Sequence, residues 1–162
     1  MGGYRTVIVG TDGSASSMRA VERAGAFAAQ QNAKLIVASA HLHDIERGGW
    51  SRPPSPEKSV DRRAEDALGR ESGYRMHGDA AVYEILRDAH ERATAAGAQD
   101  IEERAVVGAP VDALIALAKE VDADLIVVGD VGLNSTAGRL LGSVPADIAR
   151  KVKIDILIIH TA

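Results

Sequence analysis

The sequence predicts an α/β domain built on a parallel sheet. Three observations carry that reading. Short aliphatic runs of strand length alternate with stretches whose apolar residues recur at helical spacing. Apolar residues make up 46% of the 162, with one Phe, one Trp and three Tyr, so the core must be aliphatic. Two strand-like runs stop at a glycine and give way to a turn that opens a helix. A chain of this length is expected to form one domain, 1–162, with a substantial core.

Residues 4–10 read as the first strand, ending at Gly10. Asp12-Gly13-Ser14 supply the turn, and Ser14 is a good N-cap for a helix from about Ala15 to Gln30. On that helix Met18, Val21, Ala24 or Gly25, and Ala28 share one face. Lys34 to Ala40 is the second strand. Residues 43–58 carry Gly-Gly, Pro-Pro and a further proline and read as a loop, with a weak helix near 60–70. The whole of about 43–76 is expected to be a mobile insert. Gly78-Asp79 looks like the start of a better helix, with Asp79 as cap and Val82, Ile85, Leu86, Ala89 and Ala93 as its stripe, ended by Gly97. Glu102 to Val107 is the third strand, and a helix follows from near Pro110 with Leu114, Leu117 and Ala118 inward. Residues 124–128 are the fourth strand, 143–152 the fourth helix of the regular alternation, and Ile154 to His160 the last strand. Strand–helix alternation of this kind implies right-handed crossovers.

The chain is organised around residues 124–145. Leu125-Ile126-Val127-Val128 has the length and branching of a buried parallel strand. It stops at Gly129, and glycines recur at 132, 138 and 142 before Ser143-Val144-Pro145 opens a helix. Strand, glycine-punctuated loop and helix start together suit phosphate. Glycine lets backbone N–H groups turn inward, and a helix N-terminus presents free donors and partial positive charge. Pro145 in a first turn loses an N–H that has no helical partner. Ser143 is placed to cap the helix or to offer its hydroxyl to an anion.

The spacing Gly129-x-x-Gly132, nine residues, Gly142-Ser143 resembles the nucleotide-binding signature of the universal stress protein family. Val7-Ile8-Val9-Gly10-Thr11-Asp12-Gly13-Ser14 is similar to that family's first strand and adenosine-side loop. The resemblance extends over most of the chain and includes mycobacterial-type members. It implies a Rossmann-like, doubly wound five-stranded sheet in the order 3-2-1-4-5, with helices on both faces. It also implies an adenine nucleotide as ligand and a homodimer paired through the last strand, Ile154 to His160. In such a sheet ligands sit where the winding reverses, here between the first and fourth strands, where both motifs end.

On that resemblance the nucleoside side is Gly10, Thr11, Asp12 and Ala40, and the phosphate side is Gly129, Gly132, Gly142 and Ser143, with Val144 as a further backbone donor. Asp12 can also cap the first helix, and the two roles are compatible. Arg139, the cation inside the nine-residue stretch, is placed either to pair with phosphate or to stand as a solvated loop residue, and Asp130 adds negative charge nearby without having to face the ligand. The chain has no Gly-x-x-x-x-Gly-Lys-Ser/Thr, so no lysine serves β- and γ-phosphates. A second negative charge at ~6 Å costs about 3 kcal/mol at an effective dielectric of about 20. One Arg, one Asp and backbone donors therefore suit the singly charged phosphate of cyclic AMP. ATP, with Mg if ATP is bound, is the family default.

Other chemistry finds little support. Net charge is −4, without the footprint of a nucleic-acid binder. No apolar run approaches a membrane span, and no signal peptide is expected, because Met1 to Arg5 leads straight into a strand. Absence of cysteine excludes disulfides, thiolate metal sites and cysteine nucleophiles, and makes a reducing cytoplasm the simplest compartment. The five histidines read as surface or structural, no metal site is expected, and no Gly-x-Ser-x-Gly elbow exists. The expected role is that of a non-enzymatic sensor, buffer or regulator in a stress response. A slow ATPase using Asp12 and a partner-docking module using 43–76 are the alternative readings.

Overall fold

The computed structural model describes residues 3–41, 70–130 and 143–161. Its order is β1 (Thr6–Gly10), α1 (Ala15–Gln31), β2 (Lys34–His41), α2 (Arg70–Ala96), β3 (Asp100–Val107), α3 (Pro110–Val121), β4 (Leu125–Gly129), α4 (Ser143–Lys151) and β5 (Asp155–Ile159). The five strands form one parallel sheet in the order β3-β2-β1-β4-β5, the order expected.

Side chains alternate across each strand, so one sheet feeds two cores. Val7, Val9, Leu35, Val37, Leu125 and Val127 face α1 and α2. Ile8, Ile36, Ala38, Ile126 and Val128 face α3 and α4, meeting Leu114, Leu117 and Ile148. Both cores are aliphatic, as the composition requires. The α1–α2 contact is close: a Cβ at Gly25 would stand 2.9 Å from the Cα and carbonyl oxygen of Ala93. Only hydrogen fits there.

The helices begin and end where local chemistry dictates. Ser14 caps α1 by accepting from the Ser17 N–H, and Asn32 closes it in the left-handed region at φ 57°. Pro110 starts α3, and Asp122 ends it at φ 54°. One boundary differs from the sequence expectation. α2 already runs from Arg70, so Asp79 lies inside it rather than capping it. A glycine in a helix interior costs only about 1 kcal/mol against alanine, and a 27-residue helix packed on α1 absorbs that at Gly78. The 43–58 loop and all but the last residue of the weak helix expected at 60–70 lie outside the described residues.

Candidate functional site

The chain runs β1, β2, β3 outward in one direction, then returns to place β4 on the other side of β1. α1 and α2 cover one face, α3 and α4 the other. The helices that follow β1 and β4 therefore lie on opposite faces, and in a doubly wound sheet the ligand crevice belongs at such a reversal, at the strands' carboxyl ends. Register places its walls. Gly10 pairs with Ala38, and Val9 with both Val37 and Val127. Continuing these ladders sets Gly129 level with Thr11, and Ala40 level with Asp12. The N-terminal ends of α1 and α4 point to the same end of the sheet as these turns.

The β1 wall is a hydroxyl–carboxylate network. Thr11 is buried, and its N–H donates to the Ala38 carbonyl at 2.9 Å, which extends the β1–β2 ladder by one bond. Its Oγ1 accepts from the Gly13 N–H at 3.0 Å and lies 2.7 Å from Ser17 Oγ. Ser17 Oγ in turn donates to Asp12 Oδ1 at 3.0 Å, which also accepts from the Ser14 N–H at 3.0 Å. Thr11 to Ser17 to Asp12 is one consistent line of donors. Asp12 is not the cap, which is Ser14; its carboxylate accepts from the Ser14 N–H and the Ser17 hydroxyl and so braces the turn into α1. Gly13 stands at φ +86°, and a Cβ there would meet Ile85 of α2 at 3.0 Å, so both backbone and space call for glycine.

The β4 wall is held by the segment after β5. The Asp130 N–H donates to the Ile159 carbonyl at 2.8 Å. Asp130 Oδ1 accepts from the Thr161 N–H at 3.1 Å and the Thr161 hydroxyl at 2.9 Å, and Oδ2 lies 2.9 Å from His160 Nδ1. Burial alone would raise the Asp130 carboxyl, but the Thr161 and His160 bonds outweigh it and hold the group below the usual carboxylate range. Thr161 also reaches α1: its Oγ1 is 2.7 Å from Ser16 Oγ, and its carbonyl accepts from the Arg19 guanidinium.

Gly129 takes on a second meaning here. A Cβ on it would meet Thr161 Cγ2 at 3.3 Å and Ser16 Oγ at 3.7 Å. Its smallness makes room for the protein's own C-terminal segment.

Of the ten residues expected in the site, Gly10, Thr11, Asp12, Ala40 and Gly129 lie at the carboxyl ends of β1, β2 and β4. Ser143 and Val144 are the first residues of α4, with Pro145 in its first turn. Gly132, Arg139 and Gly142 lie outside the described residues. Ser16, Ser17, Arg19 and Thr161 were not anticipated. Ser17 carried a legible signal, three residues after an N-cap serine; Thr161 carried none. Among the described residues no group of three potential ligands could hold a metal ion, and no helix is long and apolar enough to cross a membrane.

Comparison with known proteins agrees with this geometry. The model of the universal stress protein family matches residues 3–160. Universal stress protein Rv1636 of Mycobacterium tuberculosis is 56% identical over 161 residues, 99% of each chain. The crystal structure of Rv1636 superposes with a TM-score of 0.58, at 49% identity over 100% of this chain and 99% of that one. A universal stress protein solved in complex with cAMP matches with a TM-score of 0.70, 52% identity and 98% coverage of both chains. With its sheet order and a family model that matches nearly the whole chain, this chain belongs to the universal stress protein family.

Proposed function

We propose that this protein binds an adenine nucleotide between β1 and β4, with cyclic AMP preferred to ATP. The observation that carries the reading is the pairing of β1 with β4 at the winding reversal, the two strands from which both motifs begin. It occurs in a chain 52% identical, over nearly its whole length, to a universal stress protein in complex with cAMP. Gly10, Thr11, Asp12 and Ala40 form the nucleoside side. Gly129, Gly132, Arg139, Gly142, Ser143 and Val144 form the phosphate side. Because the Thr11 N–H is already committed to Ala38, Thr11 serves the turn more than the ligand.

The charge argument for cyclic AMP stands on Arg139 as the site's cation and on Asp130 as a nearby anion kept ionised by its bonds. Titration calorimetry with cyclic AMP and with ATP, each with and without Mg, tests it. Tighter binding of cyclic AMP in the absence of metal is expected. The reverse order would overturn the choice of ligand, and binding of neither would overturn the nucleotide reading.

The same proposal makes the protein a cytoplasmic sensor, buffer or regulator that works as a homodimer through the last strand. Ile158 on the edge strand β5 is exposed, and an unpaired apolar edge invites a second strand. Sedimentation should give a dimer for the wild type and a monomer for Ile158→Glu.

A further inference from the structure

Thr161 occupies a place that nucleotide binding does not by itself demand. It is 3% exposed, follows the last strand, and touches both walls of the crevice. Its hydroxyl donates to Asp130 Oδ1 at 2.9 Å on the β4 side. The same oxygen is 2.7 Å from Ser16 Oγ in the first turn of α1, on the β1 side. Its N–H also goes to Asp130 Oδ1, its carbonyl takes the Arg19 guanidinium, and its methyl lies over the space a Gly129 side chain would fill. One residue bonds the helix that follows β1 to the outlet of β4. β1 and β4 pair only through Val7, Ile8 and Val9, so above Val9 their separation is not set by the ladder.

We propose that Thr161 is a positioning residue for the nucleotide crevice, its hydroxyl setting the spacing of the β1 and β4 walls through Ser16 and Asp130. The effect on ligand rests on the nucleotide reading; the tie between the walls does not. Thr161→Val keeps the volume and the methyl but removes both hydroxyl bonds. Thr161→Ser keeps the hydroxyl. Ser16→Ala removes one of the two bonds without touching the buried threonine.

The test measures cyclic AMP affinity by calorimetry and the melting temperature of each variant. Thr161→Val should weaken binding about tenfold and Ser16→Ala about threefold, with Thr161→Ser close to wild type, for hydrogen bonds of ordinary strength. A lower melting temperature in Thr161→Val with unchanged affinity would overturn the proposal, since a purely structural residue behaves that way. Should Thr161→Val not fold, unchanged affinity in Ser16→Ala would overturn it alone. If the wild type binds no cyclic AMP, the nucleotide reading falls and amide resonances decide about the tie. Shifts at Asp12 and Gly13 in Ser16→Ala and Thr161→Val, restored in Thr161→Ser, would support it. Shifts confined to Asp130 and to residues flanking position 161 would overturn it.

Discussion

Two aspartates bracket β4, and they do different work. Asp124, just before the strand, accepts from the N–H groups of Arg5 and Thr6 at 2.5 and 3.0 Å, stitching β4 to the start of β1. Asp130, just after it, accepts from Thr161 and lies against His160. Both carboxyls are held below the usual range: Asp124 chiefly by the Arg5 and Thr6 N–H bonds, Asp130 by Thr161 and His160 against the opposing pull of burial. The partners of Asp124 are backbone, present whatever the neighbouring residues are. Those of Asp130 are one N–H and two side chains, those of His160 and Thr161. The closed end of the sheet is thus secured by main chain, and the open end by specific side chains.

The largest effect expected is at the open end. Asp130→Ala orphans the buried Thr161 N–H and hydroxyl, should lower the unfolding free energy by about 3 kcal/mol, read by denaturant titration, and should weaken cyclic AMP binding. Asp124→Ala orphans the part-buried Thr6 N–H and the exposed Arg5 N–H and should cost less, about 2 kcal/mol, with cyclic AMP affinity of the folded fraction unchanged. If the two variants alter affinity equally, the distinction between the two ends fails.

Acid sharpens the comparison. Both folded-state carboxyls are depressed, so their stabilisation is complete above the unfolded value of about 4 and is lost as pH falls through the lower folded values. The stability of the wild type should therefore decline steeply below about pH 4. Asp124→Asn combined with Asp130→Asn should flatten that decline, measured as denaturant midpoints against pH. The smallest effect is expected at His160, whose side chain is 90% exposed. His160→Ala should move stability by no more than about 0.5 kcal/mol.

Much of the fold could be read from residue order. Four aliphatic runs, the Ser14 cap, the Pro110 start and the apolar spacing of α1 and α3 are local signals, and each agrees with the structure. Gly78-Asp79 looks locally like a helix start, yet α2 continues through it from Arg70, because the roughly 1 kcal/mol penalty of one interior glycine does not stop a long helix. The crevice itself was legible, since both motifs end strands that meet at the reversal. Its inner bracing was not. Ser16 and Thr161 are 145 residues apart, and no local pattern announces a contact of that range. Gly129 shows the limit clearly. Its place in the glycine spacing speaks of a ligand, while its nearest neighbours are the protein's own threonine and serine.

The pairing of β1 with β4 bears on how the polypeptide is made. Val7, Ile8 and Val9 find one neighbour as soon as residues 35–37 leave the ribosome, but the other flank waits for 125–127. During that interval the central strand of the finished sheet is an open, sticky border. Non-local pairing of this kind slows folding and leaves nascent chains prone to associate with one another. Newly synthesised copies should need shielding most while the middle third of the message is being translated.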